Sequence, residues 1–320
     1  MASGTTSEEQ MGELYDWEDP EHPMGTLNAA LAHTTTPCRT ASYSDVTASF
    51  GYAGREYIEK YGATAEDLAE IARINHAHSA ANPYSQFQED YRLGQILKSP
   101  MIHAPLTKLQ CCPTSDGGAA AVVVSQSFLD QHPHLKSQAI QIVGQQLTTD
   151  PPDLFSQSSI DLIGYKMSQM AGEGALAEAG ISLQHVQVIE VHDCFSASEL
   201  CAIDALKLPP TGATGLAQCA ELVWYLRGWA NNRSVKGTRY CLAHNLGLGG
   251  AAVVTVYARA DGQVAKPVSD QAVAEIIDLG YNPATEAKGF TVEQARKAVS
   301  QKHSSAWALQ DVASKVQSRF

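Results

Sequence analysis

Residues 186–195 read Val-Gln-Val-Ile-Glu-Val-His-Asp-Cys-Phe, and this stretch decides how the rest of the chain is interpreted. Its first six residues are mainly apolar and β-branched, which predicts a buried strand over Val186–Val191. A helical pattern follows over Ser196–Leu206, so the strand runs directly into His192 and Cys194 before the helix begins. Such junctions lie at the carboxyl ends of strands, where ligands of open α/β sheets bind.

The two reactive side chains of this junction are an imidazole and a thiol. Cys194 lies close to a predicted helix N-terminus, whose partial positive charge favours the thiolate, so we expect a lowered pKa. An imidazole beside a thiol is a pairing suited to proton transfer or nucleophilic attack. A purely structural role for both residues stays open, because a cysteine outside a disulfide is commonly a small core residue.

Strands and helices alternate on both sides of the junction. The predicted strands are Ala119–Val124, Ala139–Val143, Val186–Val191, Tyr240–Ala243 and Ala251–Tyr257, and the predicted helices are Ala65–Ile74, Ile163–Ala179, Ser196–Leu206 and Gly215–Trp229. Thr64 is placed to cap the first of these helices. This alternation predicts an α/β sheet with helices on its faces.

Two further loops carry candidate ligand-binding groups. Residues 244–250 read His-Asn-Leu-Gly-Leu-Gly-Gly between two predicted strands, and their glycines leave backbone amides free to face an oxyanion. A plain glycine-rich turn is the alternative, and the absence of a following helix argues against a dinucleotide site. Residues 110–118 read Gln-Cys-Cys-Pro-Thr-Ser-Asp-Gly-Gly, which suits either an amide-rich ligand arm or a simple Asp-Gly turn.

The composition narrows the possible classes of function. The chain has 320 residues, 44% of them apolar, and its 22 basic and 34 acidic residues give a formal net charge of −12. Without a cluster of Lys or Arg, nucleic acid is not expected as a partner. No apolar run approaches the ~20 residues that span a bilayer, so we expect an intracellular protein. The seven cysteines show no metal-binding spacing; we interpret them as reduced thiols and predict no metal site.

The two ends of the sequence differ from its middle. Residues 1–45 mix Ser, Thr, Glu and Pro without periodicity, so we expect a loosely ordered lead-in. The last four residues, Gln-Ser-Arg-Phe, loosely resemble the C-terminal peroxisomal address Ser-Lys-Leu, although Phe departs from it in the last place. An accidental helix end is the alternative, so peroxisomal and cytoplasmic locations both stay open.

Together these stretches resemble the sterol-carrier-protein type thiolases. The His-Asp-Cys-Phe motif of that family matches residues 192–195 one for one. The resemblance covers about residues 46–260 and also includes Phe-Gly-Tyr-Ala-Gly at 50–54, Asn-Pro-Tyr-Ser-Gln-Phe at 82–87, Cys-Cys-Pro-Thr-Ser-Asp-Gly at 111–117 and Gly-Ala-Thr-Gly at 212–215.

The resemblance implies a thiolase-like α/β fold, with one βαβαβαββ-type lobe, a mixed five-stranded sheet and part of a helical loop domain. It divides the chain into a lead-in at 1–45, a loop-domain remnant at 46–107, a C-terminal thiolase-like lobe at 108–260 and a helical tail at 261–320. The family's reaction is thiolytic cleavage of a 3-ketoacyl-coenzyme A or the reverse Claisen condensation, in lipid metabolism. Coenzyme A is then a substrate, and no cofactor is bound permanently.

The resemblance also implies roles for individual residues. His192 would bind the thioester oxygen, and Cys194 would move the proton of the α-carbon. Gly247 and Gly249 would present amides to the oxyanion, and Ser115, His244 and Asn245 would bind the substrate. This chemistry needs a stabilised enolate oxygen and a base within hydrogen-bond reach.

Two departures from the family pattern affect the expected activity. The family's nucleophilic cysteine comes from the first half of its fold, and nothing in residues 1–45 resembles its surroundings; Cys38, after Pro37, lacks a helix start. Pro209 stands where the family has the histidine of Gly-His-Pro, and a segment before it is missing. Ordinary thiolysis is therefore expected to be impaired, because groups that act as a unit leave only a residual rate when removed.

The predicted helix at 215–226 is apolar around most of its surface, and in the resembled fold it packs against the missing half. An uncovered patch favours association, so we expect a homo-oligomer or a companion subunit. Three interpretations stay open: an acyl-coenzyme A carbon–carbon bond enzyme, including a retro-aldolase-type relative working with a partner chain; a non-catalytic acyl-coenzyme A-binding or scaffold subunit; and a truncated or mis-spliced gene product.

Overall fold

The computed structural model describes residues 43–113, 118–152, 158–207, 216–247 and 250–289, together with Glu293 and Arg296. The chain divides into two compact units, Met1–Thr285 and Glu286–Phe320. The helices and strands that follow all belong to the first unit.

Helices and strands alternate through the described residues and are numbered in chain order. The helices are α1 Tyr43–Tyr61, α2 Ala65–Ser79, α3 Leu93–Leu97, α4 Gln126–Gln131, α5 Ser159–Leu162, α6 Tyr165–Ala179, α7 Ser196–Leu206, α8 Leu216–Arg227 and α9 Asp270–Ile277. The strands are β1 Met101–His103, β2 Leu106–Thr107, β3 Ile140–Thr148, β4 Val188–Glu190, β5 Tyr240–Gly247 and β6 Ala251–Arg259. This order confirms the predicted α/β class, and α7 has the predicted bounds.

The start of α2 is fixed by a reciprocal cap. The Thr64 hydroxyl accepts a hydrogen bond from the Asp67 backbone amide at 3.2 Å, and the Asp67 carboxylate accepts one from the Thr64 amide at 2.8 Å. These bonds satisfy amides that a helix leaves unpaired in its first turn, which is why a threonine at this place predicted the helix start.

The main sheet is mixed, with the strand order β3-β6-β5-β4. β4 and β5 are parallel, with Glu190 opposite Ala243 in the register, whereas β6 is antiparallel to both β3 and β5. Because β4 and β5 run in the same direction, their carboxyl ends meet at one edge of the sheet. The residues that follow β4 therefore lie beside the second half of β5.

Both faces of the sheet are covered by helices. One face packs against α6 and α7 through a core that includes Met167, Ala171, Ile189, Val191, Leu206, Leu242 and Val254. The other face packs against α8, where Leu222 and Leu226 are fully buried against Val188 and Cys241. Each such buried aliphatic side chain contributes about 1.5–3 kcal/mol to folding.

The predicted strand at Ala119–Val124 is wrong for the described residues. This stretch forms no helix or strand, and the side chains of Val122 and Val123 are 93% and 83% exposed. The main sheet accordingly contains four described strands rather than the expected five. An apolar, β-branched run becomes a strand only where a neighbouring strand accepts its hydrogen bonds, and none does so here.

The outer side of α8 is not the open patch that its sequence suggested. Trp224 packs with Val273 and Ile277 of α9, and its ring stacks on Tyr84 with the centroids 5.6 Å apart. Residues after β6 thus cover part of the helix surface that would otherwise require another chain.

Candidate active site

The junction between β4 and α7 is a short extended segment. β4 ends at Glu190, and Phe195, in an extended conformation with φ −146° and ψ 146°, precedes the first turn of α7. His192, Asp193 and Cys194 therefore lie outside both elements, at the carboxyl edge of the sheet. This position agrees with the junction predicted from the sequence.

An aromatic contact between residues that are distant in the sequence holds the junction in place. The rings of Phe50, in α1, and Phe195 stack with centroids 4.5 Å apart, and both side chains are 2% exposed. A β-carbon at Gly54 would lie 3.1 Å from the β-carbon of Ala197, so this glycine allows α1 to approach α7 closely. The Phe-Gly-Tyr-Ala-Gly stretch thus holds the start of α7 in place.

A second strand-like contact holds the junction from the side. Cys111 forms an antiparallel bridge with Phe195, and the Cys112 amide donates a hydrogen bond to the Cys194 carbonyl at 2.8 Å. Continuing the antiparallel register places Cys112 directly opposite Cys194. The two cysteines of the predicted ligand-arm loop therefore belong to the same site as the junction.

These segments enclose a cavity of about 610 Å³. Its walls come from the junction, from the 109–113 loop, from the end of α2 and from residues 85–87. They include His192, Asp193, Cys194, Cys111, Cys112, Asn75, His76, Ser85, Gln86 and Phe87. The structure thus unites the junction with two of the other stretches that carried the resemblance. His76 fixes the wall further, because its Nε2 lies 3.2 Å from the Leu109 carbonyl oxygen.

Burial dominates the electrostatics of Cys194. It raises the pKa of this thiol to about 12, and the nearby Cys112 and Asp193 act in the same direction. The expected thiolate is therefore wrong: loss of hydration outweighs the helix N-terminus, and the group is a thiol at neutral pH. Burial likewise raises the pKa of Cys111 to about 11 and that of Cys112 above its usual value.

His192 is neutral at physiological pH. Burial lowers its pKa, although Asp193 opposes this shift, and its Nδ1 has no hydrogen-bond partner. A neutral imidazole with one uncommitted nitrogen can donate to, or accept from, a bound molecule. The cavity therefore combines a protonated thiol with an imidazole that is available to a ligand.

Two residues that the sequence did not single out position Asp193. The Asn75 side-chain amide donates to Asp193 at 3.0 Å and to Glu199 at 2.5 Å, and burial and Asp193 raise the pKa of Glu199 to about 8. Glu199 lies in the first turn of α7 and is 1% exposed. An acidic residue in the first turn of the mainly buried helix predicted at 196–206 was the signal that could have identified it.

The predicted glycine turn joins the site less completely. His244 is fully buried, and its Nε2 lies 2.9 Å from the Ser168 hydroxyl of α6. Burial and His192 lower its pKa to about 3. His244 does not line the cavity, and Asn245 donates to Gln218 of α8 at 2.7 Å. The substrate-binding roles of His244 and Asn245 stay predictions.

Of the remaining predicted site residues, the structure describes Gly247 but not Ser115 or Gly249. Gly247 ends β5 opposite Ala251, is exposed and does not line the cavity. Ser115 and Gly249, the Pro209 and Cys38 departures and the C-terminal address all lie outside the described residues.

Other types of site were also sought in the described part of the chain. There, no group of three or more His, Cys, Asp or Glu side chains is arranged to hold a metal ion. Each helix found there is too short or too polar to cross a bilayer.

Relatives in sequence share a common stretch with this chain. Rat sterol carrier protein 2 is 46% identical over 242 residues, which cover 65% of this chain and 44% of that protein. The nematode Caenorhabditis elegans non-specific lipid-transfer protein-like 2 is 40% identical over 242 residues, covering 65% and 59%. An acetyl-CoA acetyltransferase of Methanothermobacter thermautotrophicus is 30% identical over 248 residues, covering 66% and 62%. No family model matches the chain.

The chain is shorter than these relatives. It spans less than half the length of the rat protein and about three fifths of the other two. Within the match to the rat protein, 65% of 320 residues is about 208, fewer than the 242 residues matched. The relatives therefore carry residues inside the matched stretch that have no counterpart here.

Solved structures share the fold. An Ltp2-ChsH2(DUF35) aldolase aligns with a TM-score of 0.57 at 20% identity, covering 81% of this chain and 86% of that one. A monomeric SCP2-thiolase like protein type 1 from Mycobacterium smegmatis aligns with a TM-score of 0.50 at 17% identity, covering 72% and 54%.

The fold is that of a thiolase-like α/β protein, which confirms the predicted fold class. Over the matched stretch, the chain is a homologue of sterol carrier protein 2 and of thiolase-like proteins, as its motifs predicted.

Proposed function

We propose that this chain is a thiolase-like acyl-coenzyme A enzyme that acts on the bond to the α-carbon of a thioester. The observation that carries the proposal is the single cavity of about 610 Å³ that joins His192 and Cys194. His192 binds the thioester oxygen, and Cys194 transfers the proton of the α-carbon. Coenzyme A enters as part of the substrate.

The protonation states favour carbon–carbon cleavage over the reverse reaction. When the bond to the α-carbon breaks, its electron pair moves onto the thioester as an enolate. The Cys194 thiol then gives its proton to the α-carbon, and the proton that the 3-hydroxyl group loses as it becomes a carbonyl passes through solvent to the Cys194 thiolate. A neutral His192 donates its N–H to the enolate oxygen, where negative charge develops.

Ordinary thiolysis is not the reaction we propose. It needs a reactive thiolate that accepts the acyl group, and burial raises the pKa of Cys111, Cys112, Cys194, Cys201 and Cys241. Cleavage of a 3-hydroxyacyl thioester by a retro-aldol reaction needs no acyl-cysteine. The aldolase that shares the fold supports this choice of substrate class only by analogy.

Exchange of α-protons tests the core of the proposal. The chain is incubated with an acyl-coenzyme A in deuterium oxide, and mass spectrometry follows deuterium entering the acyl group. We expect exchange by the parent and by Cys219→Ala, a control on α8 outside the cavity, and a loss of about 10²-fold or more in Cys194→Ala. Equal exchange by Cys194→Ala and the parent contradicts the role of Cys194.

A second assay separates the reactions. The chain is given 3-ketoacyl-coenzyme A with free coenzyme A, and separately 3-hydroxyacyl-coenzyme A, and products are separated by chromatography. We expect cleavage of the hydroxy substrate and negligible thiolysis. Binding of either substrate without exchange or cleavage identifies a non-catalytic acyl-coenzyme A-binding subunit instead.

We also propose that the chain works as a homo-oligomer or with a companion subunit. The support comes from the 118–124 stretch, where Val122 and Val123 are 93% and 83% exposed, rather than from α8. Such exposure is unusual for valine in an isolated soluble protein. Light scattering is expected to show a mass above that of one chain; a monomer at micromolar concentration, with full exchange activity, contradicts it.

A further inference from the structure

A second cavity lies on the other side of Asp193 from the candidate active site. This cleft, of about 540 Å³, is lined by β4, the end of the 231–235 loop, α8 and the end of α2. Asn75, Ser79, Ser85 and Asp193 line both cavities. We call it the carboxylate cleft because Glu190, Asp193 and Glu221 contribute to its walls.

Arg233, which lines the carboxylate cleft, is already in an ion pair. Arg233 makes a two-pronged ion pair with Glu221, through Nε to Oε1 and through Nη2 to Oε2 at 2.6 Å, and the two side chains are only 9% and 7% exposed. Its Nη1 donates to the Ala284 carbonyl at 2.7 Å and to Asn232 at 2.7 Å. Because this pair is neutral as a whole, Arg233 is not a full counter-charge for Glu190.

Two buried acceptors of the cleft have no donor. Glu190 is 7% exposed, and its Oε2 has no hydrogen-bond partner; the Asn75 Oδ1 also lacks one, since its amide nitrogen is the atom bound to Asp193 and Glu199. Native proteins rarely leave such atoms unsatisfied, because each costs about 1–3 kcal/mol. An N–H or O–H donor on a bound molecule would satisfy both atoms.

The charge around Glu190 indicates the kind of donor. Burial, followed by Glu221 and Asp193, raises its pKa well above the usual value, while only Arg233 acts in the opposite direction. Val188, Ile189 and Val235 add aliphatic surface to the cleft. The missing group is therefore a cation that carries N–H donors on an apolar chain.

We propose that the carboxylate cleft binds a small organic cation of the primary alkylammonium class, whose N–H groups are accepted by Glu190 and Asn75. On binding, Glu190 pairs as a carboxylate with the ammonium group. No covalent bond changes.

Calorimetry with butylammonium chloride tests the proposal, with tetramethylammonium chloride at equal ionic strength as the matched cation without N–H donors. Butylammonium is expected to bind at one site and to bind at least about tenfold more tightly than tetramethylammonium, since a hydrogen bond to a charged group contributes about 1.5–3 kcal/mol. Equal affinity for the two cations, or no saturable heat with butylammonium, overturns the proposal.

Variants localise the binding. Glu190→Gln keeps the size of the side chain and is expected to weaken the binding of butylammonium at least about tenfold. Glu275→Gln, at an exposed place on α9, is expected to behave as the parent. Retained binding by a folded Glu190→Gln overturns the proposal, and the two-cation comparison on the parent decides if that variant does not fold. Acyl-coenzyme A is absent throughout, so the result is independent of the proposed reaction.

Discussion

The junction at 191–195 and the glycine turn at 244–250 each carry a histidine near the end of a predicted strand, yet the two histidines lie in different environments. The strands concerned, β4 and β5, are parallel neighbours in the sheet. His192 lies beyond the last paired residue of its strand and lines the cavity, whereas His244 is still paired within β5 and contacts Ser168. A reactive residue reaches a cavity when it follows a strand; inside the strand, alternation of side chains assigns it to the core.

The largest expected effect is a loss of stability when the Phe50 ring, which stacks on Phe195 at the junction, is removed. Phe50→Ala is expected to lower the free energy of unfolding by about 3–5 kcal/mol, because it empties the space beneath Phe195. Urea unfolding measures the loss. Phe128→Ala, whose ring is 39% exposed, is the control and should cost less than about 1 kcal/mol. A similar loss in both variants would show that the junction does not depend on the stacked rings.

Substitution of His192 should affect mainly α-proton exchange, and substitution of His244 should affect mainly stability. His192→Ala is expected to slow α-proton exchange by about 10²–10³-fold, since it removes a donor to the enolate oxygen, with a small change in stability. Exchange and unfolding are measured on the same preparation. His244→Ala is the comparison: it should reduce stability, and its folded fraction should retain most of the exchange rate. Loss of exchange in both variants at full folding would remove the distinction.

The two regions should also respond to pH in opposite directions. The pKa of Glu199 is raised to about 8, so its stabilising proton is lost as the pH rises from about 4.5 to about 8; the pKa of His244 is lowered to about 3, so stability is lost as the pH falls below about 6.5. Relative to the parent, Glu199→Gln should gain stability as the pH rises, by at most about 1.4 kcal/mol per pH unit.

Urea unfolding from about pH 5 to about pH 8 measures both slopes. His244→Asn is the matched variant on the other side, and its deficit relative to the parent should shrink on acidification. A Glu199→Gln curve parallel to that of the parent would mean that Glu199 ionises normally in the folded protein.

Gly247 should give the smallest effect. A β-carbon here would meet only the Ala251 carbonyl oxygen, at 3.9 Å, so Gly247→Ala is expected to change stability by no more than about 0.5 kcal/mol. Exchange should also be unchanged, because Gly247 does not line the cavity. A large loss of exchange in this variant would indicate that the glycine turn takes part in the active site.

The sequence predicted the parts of the fold that depend on local pattern. The Thr64 cap, the bounds of α7 and the strand before His192 follow from capping and periodicity. The end of β5 did not: the predicted strand stopped at Ala243, whereas pairing with β6 continues to Gly247. That difference of four residues moved His244 from a loop into the sheet.

The site was predicted where reactive residues follow a strand and missed where distant side chains meet. Asn75 and Glu199 join through a contact between α2 and α7, and no local pattern reports such a contact. The protonated state of Cys194 also escaped prediction, because burial depends on the 109–113 loop and on α1. Neither segment is adjacent to Cys194 in the sequence.

The contact between Asn75 and Asp193 joins positions that are 118 residues apart in the chain. A loop of that length must close, at a cost in chain entropy, before its stabilising contacts form. The junction is therefore expected to assemble late during refolding. After dilution from urea, helical circular dichroism should therefore recover before α-proton exchange does. During synthesis, a nascent chain would form its early helices first. The candidate active site would form only after the segment that carries α7 has left the ribosome.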